Sequence, residues 1–268
     1  MIKMDSFLPI IFYAITGILA GFLGGLLGIG GGLIAVPSLA LIFHYLGFSE
    51  DYSMQTAVGT SLGAMVFTTA SSAWAHFKHK GILWNLFISM APGLLIGAFL
   101  GALIADNLPS KQLKILFGYF VCLVGAYFLF LDKARRFHGD NSNPIVIFLW
   151  STLIGTISSV LGIGGGIFTV PLLTYFHTPF RNAVSTSAAT SFLIALIGAL
   201  SFLFIGLTKS TLNSHGGYLY MPALISIGLA SSLAAPYGAK LVHTLPTKIL
   251  KKVFGVFLIA IGILMINL

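Results

Sequence analysis

The sequence predicts an all-α integral membrane protein: one transmembrane domain over residues 1–268, made of two inverted five-segment repeats with about eight to ten membrane segments. Three observations predict it. Only 14 Lys+Arg and 6 Asp+Glu occur in 268 residues, so 7% of the chain is charged, where a globular protein has ~25%. Against this, 57% is hydrophobic and Phe alone occurs 23 times, so lipid must be the solvent for most of the apolar mass. The same short motifs also occur twice in the same order, and the basic residues divide unequally between two faces only if each repeat has five segments.

This composition excludes a disordered chain, a disulfide scaffold and a cytosolic nucleotide-fold or barrel enzyme. One cysteine, Cys122, allows no intramolecular disulfide. The net charge of +8 does not indicate nucleic acid, because the basic residues stand singly or in small groups between long apolar runs. Membrane topology accounts for them, and the lipid bilayer is the expected partner.

The charged residues cut the chain into segments. Runs of 44, 26, 25 and 17 uncharged residues lie between Asp5 and Glu50, Asp51 and Lys78, Lys80 and Asp106, and Lys114 and Asp132. The second half gives 40 from Asp140 to Arg181, 27 to Lys209, 30 to Lys240, and 16 after Lys252. A spanning helix needs ~20 apolar residues, so each shorter run holds one helix, named B, C and D, then B′, C′ and D′. The first run of each half is too long for one helix. Both are broken by the same glycines, Gly28-Ile-Gly-Gly-Gly32 and Gly162-Ile-Gly-Gly-Gly166, into A1 (7–27) and A2 (Leu33 to about Phe48), and into A1′ and A2′ (Ile167 to about His177).

Leu27–Gly32 matches Leu161–Gly166 residue for residue, and Val36-Pro37 matches Val170-Pro171, at an offset of 134. Ala57–Ser61 (AVGTS) matches Ala183–Ser187 (AVSTS) at 126, and Leu108–Lys111 (LPSK) matches Leu245–Lys248 (LPTK) at 137. The repeats run about 7–132 and 144–268, with a polar linker at 133–143 carrying Arg135 and Arg136. Lys3 followed by an apolar run resembles a cleaved signal peptide. The same design recurs deep inside the chain at 145–166, so residues 7–27 are read as a retained segment.

Counting crossings decides between parallel and inverted repeats. If A crosses once, seven Lys/Arg fall on each face and the positive-inside rule reads nothing. If A is a hairpin, one face collects Lys78, Lys80, Lys133, Arg135, Arg136, Arg181, Lys240, Lys248, Lys251 and Lys252, and the other keeps Lys3, Lys111, Lys114 and Lys209. That asymmetry favours hairpins, inverted repeats and both termini on the non-cytoplasmic face; the expected location is the cell (plasma) membrane.

A2, at 16 residues or ~24 Å, is short of a ~30 Å hydrocarbon core, and A2′ is shorter. Each starts inside the membrane and runs out to one face. Glycine suits a tight apex that exposes backbone N–H groups. The proline that follows fits either a helix from Leu33 that tolerates Pro37, or an extended Leu33–Val36 leading into Pro37 as first residue. Either way a helix N-terminus with free N–H groups faces the interior. Two such ends meeting near the midplane make an anion site without a buried lysine, carried by Gly30, Gly31, Gly32, Gly164, Gly165 and Gly166. The competing reading, that these glycines only allow close packing, suits Gly93, Gly97 and Gly101 of C and the mirrored Ala230, Ala234 and Gly238 of C′ better. The spacing matches no dinucleotide fingerprint, and no Walker lysine follows.

Thr60-Ser61 and Thr186-Ser187 are the second candidate set, since hydroxyls donate to anion oxygens at lower desolvation cost than a charge. The alternative is bonding back to their own helix carbonyls. Arg181 has no basic twin, aligning with Gln55, and reads as a gate or mouth charge or as an interfacial anchor. All six acidic residues fall at segment ends or loops, so no proton relay or cation site is expected inside the membrane. The histidines form no close pair within a span, so no metal or other cofactor is expected. No nucleophile, base and acid set stands out, so the chain does not read as an enzyme.

With LGIGGGLIAVPSL at 27–39, LGIGGGIFTVPLL at 161–173, AVGTS, AVSTS, LPSK and LPTK, the chain resembles the sulfite exporter TauE/SafE family of membrane transporters. The resemblance implies secondary transport, in the export direction, of a small sulfur-containing anion such as sulfite, thiosulfate or an organosulfonate. Nothing in composition or spacing indicates sulfur. A transporter of a different small solute, a membrane-embedded enzyme and a scaffold subunit are the alternatives, and the oligomeric state is not legible.

Overall fold

The computed structural model describes residues 7–27, 30–78, 80–130, 143–209, 217–241 and 247–267. Among them every regular element is an α-helix. In the first repeat α1 (Phe7–Leu27), α2 (Gly32–Tyr45), α3 (Ser53–Lys78), α4 (Trp84–Asn107) and α5 (Ser110–Phe130) are A1, A2, B, C and D. In the second, α6 (Pro144–Leu161), α7 (Gly166–Tyr175), α8 (Phe180–Leu207), α9 (Met221–Leu241) and α10 (Thr247–Asn267) repeat the order. The linker at 133–142, the termini and Gly28-Ile29 lie outside the described residues.

Six of the described helices, α1, α4, α5, α6, α8 and α9, are long and apolar enough to cross a membrane, so this is a multi-pass membrane protein. With 14 and 10 residues, α2 and α7 are ~21 Å and ~15 Å long, too short for that. Both contain their proline, Pro37 and Pro171, inside the helix, which decides between the two pictures: the helix begins at the last glycine and tolerates proline. Local chemistry sets other boundaries. Asn143 caps α6 by accepting from the Ile145 N–H at 3.0 Å, with Pro144 at the first helical position. Gly162, left-handed at φ +69°, ends the helix.

The outer ends of α1 and α2 meet at one ring. The Tyr220 ring, just ahead of α9, takes edge-on contacts from Tyr13 near the start of α1 and from Phe43 and Phe48 at the end of α2, at 6.1, 5.6 and 5.3 Å between centroids. The two repeats interleave. The helix α1 packs on α9 and α6 on α4, α3 lies against α8, and α5 against α10. Gly17, Gly21 and Gly25 meet Ile227, Ser231 and Ala235 in turn, so α1 and α9 run parallel. Gly93, Gly97 and Gly101 meet Phe148, Thr152 and Thr156, so α4 and α6 do too. A Cβ at Gly21 or Gly97 would strike the Ser231 or Thr152 carbonyl oxygen, which is why the glycine stripes are there. On α9 the facing row passes through Ala230 as expected, but Ala235 rather than Ala234 closes on Gly25.

The matching helices B and B′ run antiparallel. At the α3 C-terminal end, His76 Nδ1 lies 3.1 Å from Ser185 Oγ, and Asn182 Nδ2 donates to the Gly81 carbonyl at 2.9 Å. At the other end Tyr52 packs on Tyr218, which in turn packs on Phe202 near the end of α8. D and D′ are antiparallel as well: Gly118 lies on Gly262 and Ile266, and Gly125 on Gly255 and Ile259. Cys122 is half-buried in this interface, its thiol 3.8 Å from the Ile259 carbonyl.

Candidate functional site

The two glycine turns touch beside the middle of α3, next to Met65, the thirteenth of its 26 residues. A Cβ added to Gly30 would lie 3.7 Å from the Gly164 Cα, and one added to Gly32 would strike the Gly162 carbonyl and lie 2.8 Å from the Ile163 Cα. Gly30, Gly162 and Gly165 are left-handed, with φ of +72°, +69° and +59°, a region that only glycine enters at low cost. Gly31 has ordinary right-handed angles and is glycine because α1 is close: its Cβ would lie 3.0 Å from Ala20 Cβ and 3.1 Å from the Ala20 carbonyl. Gly32 and Gly166 open α2 and α7.

The carbonyls of the second turn are held. Ser61 Oγ donates to the Gly162 carbonyl at 3.1 Å, and Ser191 Oγ donates to that of Gly164. Thr169 Oγ1 donates to the Gly165 carbonyl at 3.0 Å. The N–H groups are not held in the same way. Among the described residues, those of Gly164, Gly165 and Ile167 meet no acceptor, and neither do those of Gly31, Gly32 and Leu33. The first N–H groups of a helix have no acceptor within it, and here the positive ends of two short helices bring such groups together. Three buried hydroxyls, those of Ser158, Ser159 and Ser187, also lack a partner among the described residues. Ser158 points at this turn, its Oγ 3.3 Å from the position a Gly165 Cβ would take. Ser187 stands one helical turn before Ser191 on the same side of α8.

Thr60 and Thr186 are fully buried but are directed to the starts of α9 and α4. Thr60 Oγ1 accepts from the Tyr220 N–H, and Thr186 Oγ1 from the Leu83 N–H, each at 3.0 Å. The duplicated hydroxyls thus tie each B helix to the C helix of the other repeat, and each keeps its own O–H free of acceptors among the described residues. Neither bonds back to its own helix, as Thr68, Thr69 and Ser201 do. Arg181, the second residue of α8, is exposed at the end of the helix, ten residues or ~15 Å from Ser191.

Sequence reasoning missed two features. One is Met65, whose methyl lies against both turns: 2.6 Å from the position of a Gly30 Cβ and in contact with that of Gly164. The offset of 126 that aligns the two AVxTS motifs also sets Met65 opposite Ser191, and this was the available signal. The other is a charged cluster at the Tyr218 end of the bundle. Lys209 Nζ pairs with Asp106 Oδ1 at 2.7 Å, and Tyr218 donates to the same oxygen at 2.6 Å. The Lys209 ammonium also lies over the Tyr52 ring at 5.3 Å. Burial first, then the bond to Asp106, raises the Tyr218 phenol above its usual value. No spacing rule joins residues so far apart in sequence. Among the described residues no three His, Cys, Asp or Glu side chains gather into a metal site.

The chain is 33% identical over 250 residues to a probable membrane transporter protein of Haemophilus influenzae, covering 93% of this chain and 95% of that one. It is 33% identical over 253 residues to a probable membrane transporter protein of Methanocaldococcus jannaschii, covering 92% and 90%. With the probable membrane transporter protein YunE of Bacillus subtilis it shares 29% over 271 residues, covering 92% and 94%. The family model described as sulfite exporter TauE/SafE matches residues 13–265. On that match, spanning both glycine turns and all but the outermost residues, the chain belongs to the TauE/SafE family of membrane transporters.

Proposed function

We propose that the chain is a secondary transporter that exports a small sulfur-containing anion, such as sulfite, thiosulfate or an organosulfonate, bound between the two glycine turns near the bilayer midplane. One observation carries this reading: among the described residues, backbone N–H groups without acceptors collect at two touching turns, each the start of a short helix. Such a place favours negative charge through aligned dipoles and N–H donors, without a buried cation whose tight pairing would slow release. The O–H of Ser187, without an acceptor among the described residues, adds a donor beside Ser191, while the O–H groups of Thr60 and Thr186 lie at the starts of α9 and α4. Ser61 supports the turn through Gly162, and Arg181 serves as a mouth charge.

Inverted repeats complete the reading. Their support is the antiparallel run of α3 against α8 and of α5 against α10, together with a first hairpin that returns to the face it entered. Repeats related this way allow rocking of one against the other around a fixed site. The basic-residue tally supports both termini lying on the non-cytoplasmic side, with the plasma membrane as the location this reading expects. The test is flux in proteoliposomes of the full chain. Sulfite, thiosulfate or methanesulfonate should cross faster than in protein-free vesicles, while sodium should not. Flux unchanged for all three anions defeats the proposal.

A further inference from the structure

The two halves of the glycine site are chemically unequal. At the offset of 134, Gly17, Gly24 and Gly25 of α1 correspond to Ser151, Ser158 and Ser159 of α6, and all three serines carry buried hydroxyls without partners among the described residues. At the offset of 126, Met65 of α3 corresponds to Ser191 of α8. One side of the junction is therefore glycine and a methyl thioether. The other adds two serines, Ser158 and Ser191, beside the N–H groups of Gly164, Gly165 and Ile167; unpaired N–H groups themselves are common to both turns among the described residues. Ser158 is fully buried, has no partner and is aimed at the first turn of α7.

We propose that an anion binds end-on, its charged oxygens on the α7 turn and Ser158, and that Met65 is the residue that sets which anions the site accepts. This rests on the reading that the glycine turns hold the anion. The Met65 methyl lies where the two turns converge: a Cβ at Gly30 would come 2.6 Å from it, one at Gly164 would strike it, and one at Gly32 would lie 3.0 Å from the sulfur. A thioether donates no hydrogen bond. An anion with oxygens on every side loses water against it and gains nothing in return. An anion with one apolar end places that end on a soft, polarisable methyl. Met65 thus penalises strongly hydrated, fully oxygenated anions and admits those with a substituent.

The test is competition by methanesulfonate and by sulfate against labelled sulfite, on purified full-length protein in lipid nanodiscs. Wild type should favour methanesulfonate over sulfate. Met65→Ser, which copies Ser191, and Met65→Gln, which keeps the volume, should each reduce that preference at least tenfold, while Met65→Leu keeps it. Ser158→Ala should weaken both competitors alike, by severalfold. If the glutamine and serine variants bind sulfite with the wild-type preference intact, Met65 does not set selectivity, although the glycine site stands. If wild type binds none of the three anions, the glycine site itself falls, and this proposal with it.

Discussion

Replacing Gly165 by alanine separates a binding role of the α7 turn from a merely conformational one. At φ +59° an alanine costs about 1–2 kcal/mol in backbone strain. Its Cβ would lie 2.5 Å from Ile194 Cδ1, the movable end of a side chain, and 3.3 Å from Ser158 Oγ, so the residue fits only by pushing on the hydroxyl aimed at the turn. Losing one charge-assisted hydrogen bond there removes about 1.5–3 kcal/mol of binding, roughly tenfold or more in Kd. Gly47→Ala is the control. Gly47 has φ +71° and nothing within 4 Å of an added Cβ, so it carries the same strain between α2 and α3, away from the site. Thermal unfolding of the purified protein should fall similarly for both variants, while sulfite affinity falls only for Gly165→Ala. Equal affinities in the two variants would refute a binding role for the turn.

Thr60→Val or Thr186→Val leaves the Tyr220 or Leu83 N–H without its acceptor and should destabilise the protein by about 1–3 kcal/mol; serine at either position should restore it, as seen in denaturant midpoints. Gly97→Ala drives a methyl into the Thr152 carbonyl and to within 2.9 Å of the Thr156 N–H. Overpacking of that kind costs about 1–3 kcal/mol, and an unchanged melting temperature would show that α4 and α6 can separate freely. In a Cys122→Ala background, cysteines at Ser49 and at Ser142, the latter outside the described residues, should label from opposite faces of the membrane. Labelling from one face would sink the inverted topology.

How much was legible follows from where each signal lives. Hydropathy, glycine runs and a repeated motif are local, and they are enough for the helices, the broken A segments and family membership over residues 13–265. The sequence argues for inversion only through the basic residues, because each repeat alone looks the same whichever way it faces the bilayer. Partners across the bundle were not legible. Thr60 and Thr186 stand out as duplicated hydroxyls, yet a hydroxyl's acceptor lone pairs and its proton leave opposite kinds of work open, and only the fold shows the oxygens spent on the starts of α9 and α4. The same holds for Asp106, Lys209 and Tyr218, which come from different helices and connections. The most informative signal was the difference between the repeats rather than their likeness. Duplication draws the eye to positions that match, and these make what the two halves share: the glycine turns, the helix ties and the packing stripes. A duplicated chain whose halves were identical would offer an anion the same chemistry from both sides. This one has serine for glycine at Ser158 of α6 and serine for methionine at Ser191 of α8, and both meet the turn that starts α7. Selectivity is therefore expected at the mismatched positions, and loss of folding or of binding for every anion alike at the matched ones.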